Sequence, residues 1–489
     1  MAGPVCPAAL RTGRMAPAAG KNSGKTGEMG DRPMNATLQD LTCGPLKKQI
    51  LLFSLPLIAS NVLQVLFNMS DVAVVGRFAG AAALGAVGST TTLITLFTGF
   101  LIGLSGGVNV LVAQYFGAKN GDEVRKSVHT AFLVSAAAGL LLAAAGICFA
   151  RELLELLHTK PELIDGAELY LRIYFLGMPA LALYNFGNAV FSAVGDTKKP
   201  LCYLTAAGIV NVLLNLFFVI VCRLHVAGVA IASAASQYLS ALLTLGALFR
   251  RGDVCALRLS AMRFDGKRTK KLLMLGIPAG LQSVIFAIAN LFIQAAVNSF
   301  DATMVEGNSA AANSDALVYD VMAAFYTACA SFIGQNYGAG RRDRVLKSYR
   351  ISMAYSFGAA AVMGAVLVLF GRQFLSLFTT EEAVISAGMK RLIIMGCSYA
   401  FSAFMDCTIA AARGLGRTVV PMIIVISGSC VFRVIWIYTV FACFGTITSL
   451  YLLYIFSWTI TGAAEIAYFV RCCRRQMDGL RPAAAEAGS

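Results

Sequence analysis

The chain has 489 residues, 58% of them hydrophobic and only 13% charged, with a mean hydropathy of +0.72. That composition excludes an ordinary water-soluble globular protein of this length. The formal net charge is +15, but the Lys and Arg fall between apolar runs and form no stripe, so the excess points to a membrane and away from nucleic acid. The 13 Cys are scattered without CxxC pairs or metal-ligand spacing, which predicts neither a disulfide framework nor a metal site.

Residues 1–45 are rich in Gly, Ala, Pro and basic side chains and carry no long apolar stretch, so they read as a disordered tail and not as a signal peptide. A helix needs about 20 apolar residues to cross the bilayer core. Twelve such spans follow, at 49–75, 82–104, 128–150, 168–192, 201–222, 226–249, 272–298, 314–336, 350–370, 388–411, 419–442 and 447–470. The second and eighth are expected to run on as helix beyond their apolar cores. The expected organisation is an N-terminal lobe at 46–250, a basic linker at 251–271, a C-terminal lobe at 272–474 and a tail at 475–489.

The two halves are copies. "VAQYFGAKNGDEVRKS" holds Gln114, Gly117 and Ser127; "IGQNYGAGRRDRVLKS" holds Gln335, Gly338 and Ser348 at a spacing of 221 (335 − 114 = 221). Upstream, Pro56 and Asn68 match Pro278 and Asn290 (278 − 56 = 222, 290 − 68 = 222). Downstream, "VGDTKKP" ending at Pro200 matches "LGRTVVP" ending at Pro421. Duplicated helical halves around a central site are the architecture of alternating-access transporters. The predicted fold is therefore an all-α membrane protein of twelve transmembrane helices in two pseudo-symmetric six-helix lobes. Pro56 and Pro278 read as the opening of equivalent helices, where a missing backbone hydrogen bond gives either a gating bend or a static kink.

Lys and Arg concentrate in the connections around 119–126, 250–271 and 341–347 and are sparse around 151–166 and 299–306. The positive-inside rule then puts the first set and both termini in the cytoplasm of a multi-pass protein of the cytoplasmic (inner) membrane.

Polar residues inside spans mark the candidate site. Asn61, Gln64, Asn68 and Asp71 are spaced 3, 4 and 3 apart, which sets them on one face of the first span. Asn185 and Asn188 in the fourth span, and Asn211 and Asn215 in the fifth, belong to the same half. Together they predict one polar cavity. The alternative for each amide is interhelical glue. Asp71, an ionisable group, is expected to pair, titrate or bind a cation such as Na⁺. In the second half Asp320 is a further cavity candidate, Asp406 and Arg433 are expected to pair, and Asp315 is expected to be solvated near the outer surface. The His residues His129, His158 and His225 show no paired spacing, and no Walker A sequence is present, so neither an enzyme nor an ATP-driven pump is indicated.

Several stretches carry a resemblance: "NMSDVAVVGRFAG", "LSGGVNVLVAQYFGAK", "SAVGDTKKP", "NVLLNLFFV", "FIGQNYGAG", "AARGLGRTVVP" and "FRVIWIYTVF". Over about Leu46 to Arg474 the chain resembles the multidrug and toxic compound extrusion (MATE) family. The resemblance implies a V of two six-helix lobes and secondary active export of drugs and amphipathic organic cations in exchange for H⁺ or Na⁺. It implies no cofactor beyond that coupling ion, a bilayer around the protein and a monomer. It assigns the first-helix acid to Asp71 and the fifth-helix polar pair to Asn211 and Asn215, with an amide where the family carries a second acid. The usual seventh-helix acid falls near Phe286, so no C-lobe cation site is carried over. A lipid-linked saccharide flippase shares the architecture but calls for cationic cavity residues. A channel calls for a filter or charged ring, and the sequence offers neither.

Overall fold

The computed structural model describes residues 39–478, Leu377 excepted. The first half holds α1 (Leu46–Val74), α2 (Ala81–Gly117), α3 (Gly121–Cys148), the short α4 (Ala150–Leu156), α5 (Pro161–Leu176), α6 (Met178–Ala193), α7 (Lys198–Leu216) and α8 (His225–Phe249). The second half holds α9 (Gly266–Val297), α10 (Ala302–Gly338), α11 (Arg342–Leu375) and α12 (Glu382–Gly414). It ends with α13 (Val419–Phe444) and α14 (Ile447–Asp478). Among the described residues there are no strands.

Eleven of the twelve predicted spans are single helices long and apolar enough to cross a membrane. The fourth is two 16-residue helices, α5 and α6, divided at Gly177. Pro179 explains the division, because it cannot donate to the carbonyl of Phe175 and its ring crowds that carbonyl. The equivalent α12 has no proline and runs unbroken for 33 residues. Six crossing segments therefore stand in each half, with α5 and α6 sharing one. As expected, α2 and α10 run on through the repeated Gln to end at Gly117 and Gly338.

Two boundary expectations need correction. Pro56 and Pro278 do not open their helices; α1 and α9 begin at Leu46 and Gly266, so both prolines lie inside. Of the 1–45 tail, residues 1–38 lie outside the described residues, while 39–45 pack against the body, with Leu41 only 1% exposed. At the other terminus α14 continues to Asp478, through the start of the expected tail at 475–489; residues 479–489 lie outside the described residues.

One apolar cluster joins Val108, Leu111, Val128, Phe186 and Phe191 of the first half and reaches Leu272 and Leu275 of α9; another joins Met322, Leu392, Tyr399, Tyr451 and Trp458 in the second. The halves meet along α2, α9 and α10. Small residues allow the approach: a Cβ on Gly103 would lie 2.5 Å from the Cα of Gly280, and one on Gly107 would lie 2.8 Å from the Cα of Gly276. The linker is pinned by His129, whose Nε2 accepts the N–H of Arg258 at 3.0 Å. The Nδ1 of His129 sits 2.7 Å from the carbonyl of Arg125, so that nitrogen carries the proton. Arg268, paired with both Glu123 and Asp265, ties the base of α9 to α3. Lipid-facing surfaces stay apolar, with Leu52, Leu141, Leu213 and Leu369 all exposed.

Candidate functional site

A cavity of about 350 Å³ opens inside the first half, walled by α1, α2, α5, α6, α7 and α8. α1 turns Gln64, Asn68 and Asp71 into it, as their helical spacing requires. α2 adds the hydroxyls of Thr91, Thr95 and Thr98, and α8 adds Ser233, Ser236, Gln237 and Ser240. Aromatic walls come from Phe67, Tyr170, Tyr174 and Tyr184. Asp71 is the one charged side chain in this lining, which contains no Lys or Arg.

Both carboxylate oxygens of Asp71 accept a hydrogen bond. Asn215 donates from Nδ2 to Oδ1 at 2.5 Å, and Ser233 donates from its hydroxyl to Oδ2 at 3.2 Å. Asn215 is fully buried behind the acid and donates a longer 3.4 Å bond to Asn211 Oδ1. One face of the carboxylate is thus fixed by α7 and α8 while Asp71 itself stays at the cavity wall. The main helical hydrogen bonding also loosens just past these residues: wider turns run over Val75–Ala79 after α1 and Phe217–Val221 after α7. Such turns gather at functional sites in helices.

The remaining candidates divide. Asn185 and Asn211 line the cavity; Asn188, on α6, is not part of the lining. The Nδ2 of Asn185 and the Oδ1 of Asn188 have no hydrogen-bond partner among the described residues. Asn61 leaves the row of its neighbours and donates at 2.8 Å to the carbonyl of Asp320, tying α1 to α10. Asp320 stands in the second half and does not line this cavity. Pro56 is buried within α1, and Pro278 walls a separate apolar groove with Met274, Ile277 and Val419. Ser233, Tyr170 and Tyr174 were not singled out from the sequence. Ser233 sits in an ordinary small-residue helix, "ASAASQ", and nothing in that string marks it as a partner for Asp71.

The second half does not repeat the site. Ile293 stands at Asp71's repeat position (293 − 71 = 222). Asn290, the counterpart of Asn68, accepts from Arg433 at 3.1 Å, and Gln282 accepts from Arg413 at 2.9 Å. The guanidinium of Arg433 is fully buried, 4.6 Å from the Phe286 ring and 4.8 Å from that of Tyr454. Two expectations fail here. Asp406 and Arg433 form no ion pair among the described residues: Arg433 turns to Asn290 and Ser457, and the Oδ2 of Asp406 has no hydrogen-bond partner. Asp315 is not solvated; it is 3% exposed and pairs with Arg391 at 2.9 Å. Arg391 also donates to Asn308, as does the Tyr451 hydroxyl, each at 2.9 Å.

The sequence profile of the MatE family matches residues 56–217 and 278–439, one copy in each half, each starting on the repeated proline. A probable multidrug resistance protein of Bacillus subtilis, YpnP, is 30% identical over 74% of this chain and 81% of its own. An FAD transporter of Shewanella oneidensis is 26% identical over 73% of this chain and 80% of its own. A solved structure described as an outward-facing multidrug resistance MATE family transporter superposes with a TM-score of 0.85 at 20% identity. It covers 91% of this chain and 100% of that one. Twelve crossing segments in two copied halves, with the family pattern matched once in each, make this chain a multi-pass membrane transporter of the MATE family and not an enzyme.

Proposed function

We propose that the protein is a secondary active efflux transporter that exports amphipathic organic cations in exchange for H⁺ or Na⁺, with Asp71 as the coupling residue. The observation that carries this reading is the cavity around Asp71: one carboxylate, a ring of amides and hydroxyls, and aromatic faces, with no basic side chain. Such a lining attracts positive charge, bonds loosely to varied polar groups and offers cation–π contacts. A proton or Na⁺ on the Asp71 carboxylate and a cationic drug in the same cavity compete for one charge. Antiport follows if each occupant favours a different conformation. The names of relatives such as YpnP agree with drug export.

The coupling site is placed in the first half because the second has Ile293 at Asp71's repeat position, and its counterpart amides Asn290 and Gln282 are taken up by Arg433 and Arg413. A phosphate-bearing cargo, such as a lipid-linked saccharide or the flavin dinucleotide of the Shewanella relative, would find no cationic partner in the cavity lining. We place the lobes at 46–250 and 272–474, the linker at 251–271 and both termini in the cytoplasm, from the Lys and Arg distribution. The cavity is complete within one chain, which suits a monomer. The test is efflux of a fluorescent cation from proteoliposomes under separately imposed H⁺ and Na⁺ gradients. Uphill transport under one of them is expected; transport under neither overturns the reading.

A further inference from the structure

Residues 39–44 lie ahead of α1 and bridge the two halves. On one side the N–H of Gln39 donates to the carbonyl of Val194, just past the end of α6, at 3.2 Å. On the other side the N–H of Leu41 donates to Gln335 Oε1 at 3.0 Å, while the Leu41 carbonyl accepts from Asn336 at 3.2 Å and from Arg344 at 3.1 Å. Arg344 also donates to the carbonyls of Gly44 and Cys43, at 2.9 and 3.2 Å. The Leu41 side chain is buried in a cluster with Ile50 and Phe53 of α1 and Ala328 and Phe332 of α10. Gln335 is the hub of this arrangement: its amide NH₂ goes to the carbonyl of Ala193 in the first half at 2.7 Å, and its amide oxygen is taken by the strap.

The place matters as much as the bonds. This is the end where α2 and α10 finish and cross, and where the halves touch backbone to backbone. The polar cavity lies along the other part of α2, from Val87 to Ile102. Opening the crossed end requires Ala193 and Val194 to leave Gln335, Asn336 and Arg344. A strap bonded to both sides must release at least one. The strap also runs straight into α1, the helix that carries Asp71, so its release and a movement of α1 are joined by a stiff element.

We propose that residues 39–44 are a latch that holds the crossed end of the transporter shut, with Gln335 and Arg344 as its catch, and that it lets go each time that end opens. This rests on the alternating-access reading above, but it concerns the conformational equilibrium and not the cargo or the coupling ion. Hydrogen–deuterium exchange on the full-length protein in nanodiscs tests it, comparing wild type with Arg344→Ala and Leu41→Asp. The control is Arg151→Ala, whose ion pairs with Glu155, Asp165 and Glu168 lie outside this contact. A latch predicts that exchange rises about ten-fold or more at 108–117, 193–196 and 327–338 in the strap variants, while exchange at 87–98 falls as the opposite end closes. General loss of fold raises exchange in both regions and overturns the proposal, as does an Arg344→Ala protein that exchanges like wild type. Because exchange reads the conformation directly, a failed efflux assay with a positive exchange result rejects the cargo or ion and keeps the latch.

Discussion

Gln114 and Gln335, 221 residues apart, reach across the molecule in opposite directions. Gln114 donates from α2 to the carbonyl of Gly414 at the end of α12, and Gln335 donates from α10 to the carbonyl of Ala193 at the end of α6. The acceptors are themselves 221 residues apart (414 − 193 = 221), so the exchange obeys the internal two-fold of the repeat. A self-complementary contact of this kind is what a two-fold axis between equivalent surfaces generates. The repeated Gln is thus conserved between the halves of this one chain by a shared job, closing one end of the bundle.

That closure depends on the glycine three residues past each Gln. A Cβ on Gly117 would sit 2.0 Å from the Gln335 carbonyl oxygen, and one on Gly338 would sit 1.9 Å from that of Gln114. The opposing atoms are backbone, which cannot swing aside. Gly117→Ala and Gly338→Ala should therefore each destabilise the closed end by about 1–3 kcal/mol, the usual scale of overpacking. Gly106→Ala, on the same helix with nothing within 4 Å of its added carbon, should melt like wild type. Thermal unfolding in one detergent checks the contrast; equal melting of all three rejects it.

The Asp315–Arg391 pair predicts a larger effect. Asp315→Asn leaves Arg391 buried and uncompensated against Asn308, which should cost about 3–5 kcal/mol. Replacing both partners together, as Asp315→Leu with Arg391→Met, removes the orphaned charge and should recover much of the loss. A double-mutant cycle of melting temperatures measures the coupling; additive losses would show that the pair contributes nothing as a pair.

What the sequence made legible followed from periodicity. Spacings of 3 and 4 placed Gln64, Asn68 and Asp71 on one wall, and the same rule put Asn211 beside Asn215, where they stand. The repeat announced the two halves. Long-range partners were not legible: Asp315 meets Arg391 across 76 residues, and Asp71 meets Ser233 across 162, separations that no local pattern encodes. The strap was missed for a related reason. A short polar segment before an apolar helix looks like a tail, and only the bonds to Gln335 and Arg344 reveal that its backbone is bound. The division at Gly177 was legible in principle from Pro179, but the continuous apolar run concealed it.

Asp406 gives a sharp contrast with Asp315. Among the described residues its Oδ2 has no donor and it shares no ion pair, so an amide in its place breaks no bond seen to Oδ2. Asp406→Asn should shift stability by less than about 1 kcal/mol, where Asp315→Asn loses several. The same melting experiment decides. A loss at Asp406 equal to that at Asp315 would restore the intramembrane pair as the better description.

The proposed sidedness rests on the Lys and Arg distribution. Ser260 in the linker and Ala302 at the start of α10 are both exposed, at opposite predicted faces of the membrane. In a background without native thiols, a cysteine at 302 should react in intact cells with an impermeant maleimide, and one at 260 only after lysis. Rapid labelling at 260 with none at 302 reverses the orientation.

The last expectation concerns Asp71 itself. Asp71→Asn keeps the size of the side chain and removes its charge. The amide oxygen can still accept from Asn215, and the Ser233 hydroxyl can rotate to accept from the new NH₂, so both contacts survive in altered polarity. Folding should therefore be close to wild type, with melting shifted by less than about 1 kcal/mol. Transport should change far more. On the proposed coupling, removing the carboxylate removes the group that a proton or Na⁺ and the drug compete for, so the variant should still bind a fluorescent cation weakly and equilibrate it downhill, yet build no gradient. Ser233→Ala makes the graded comparison: it removes one hydrogen bond to the carboxylate, a contact worth about 1.5–3 kcal/mol when one partner is charged, and should weaken coupling without abolishing it. Purified wild type, Asp71→Asn and Ser233→Ala, reconstituted at equal density, give the order of uphill rates. If Asp71→Asn accumulates the cation at the wild-type rate, the coupling assignment is wrong, and Asp320, beside the Asn61 contact between the halves, is the next carboxylate to remove.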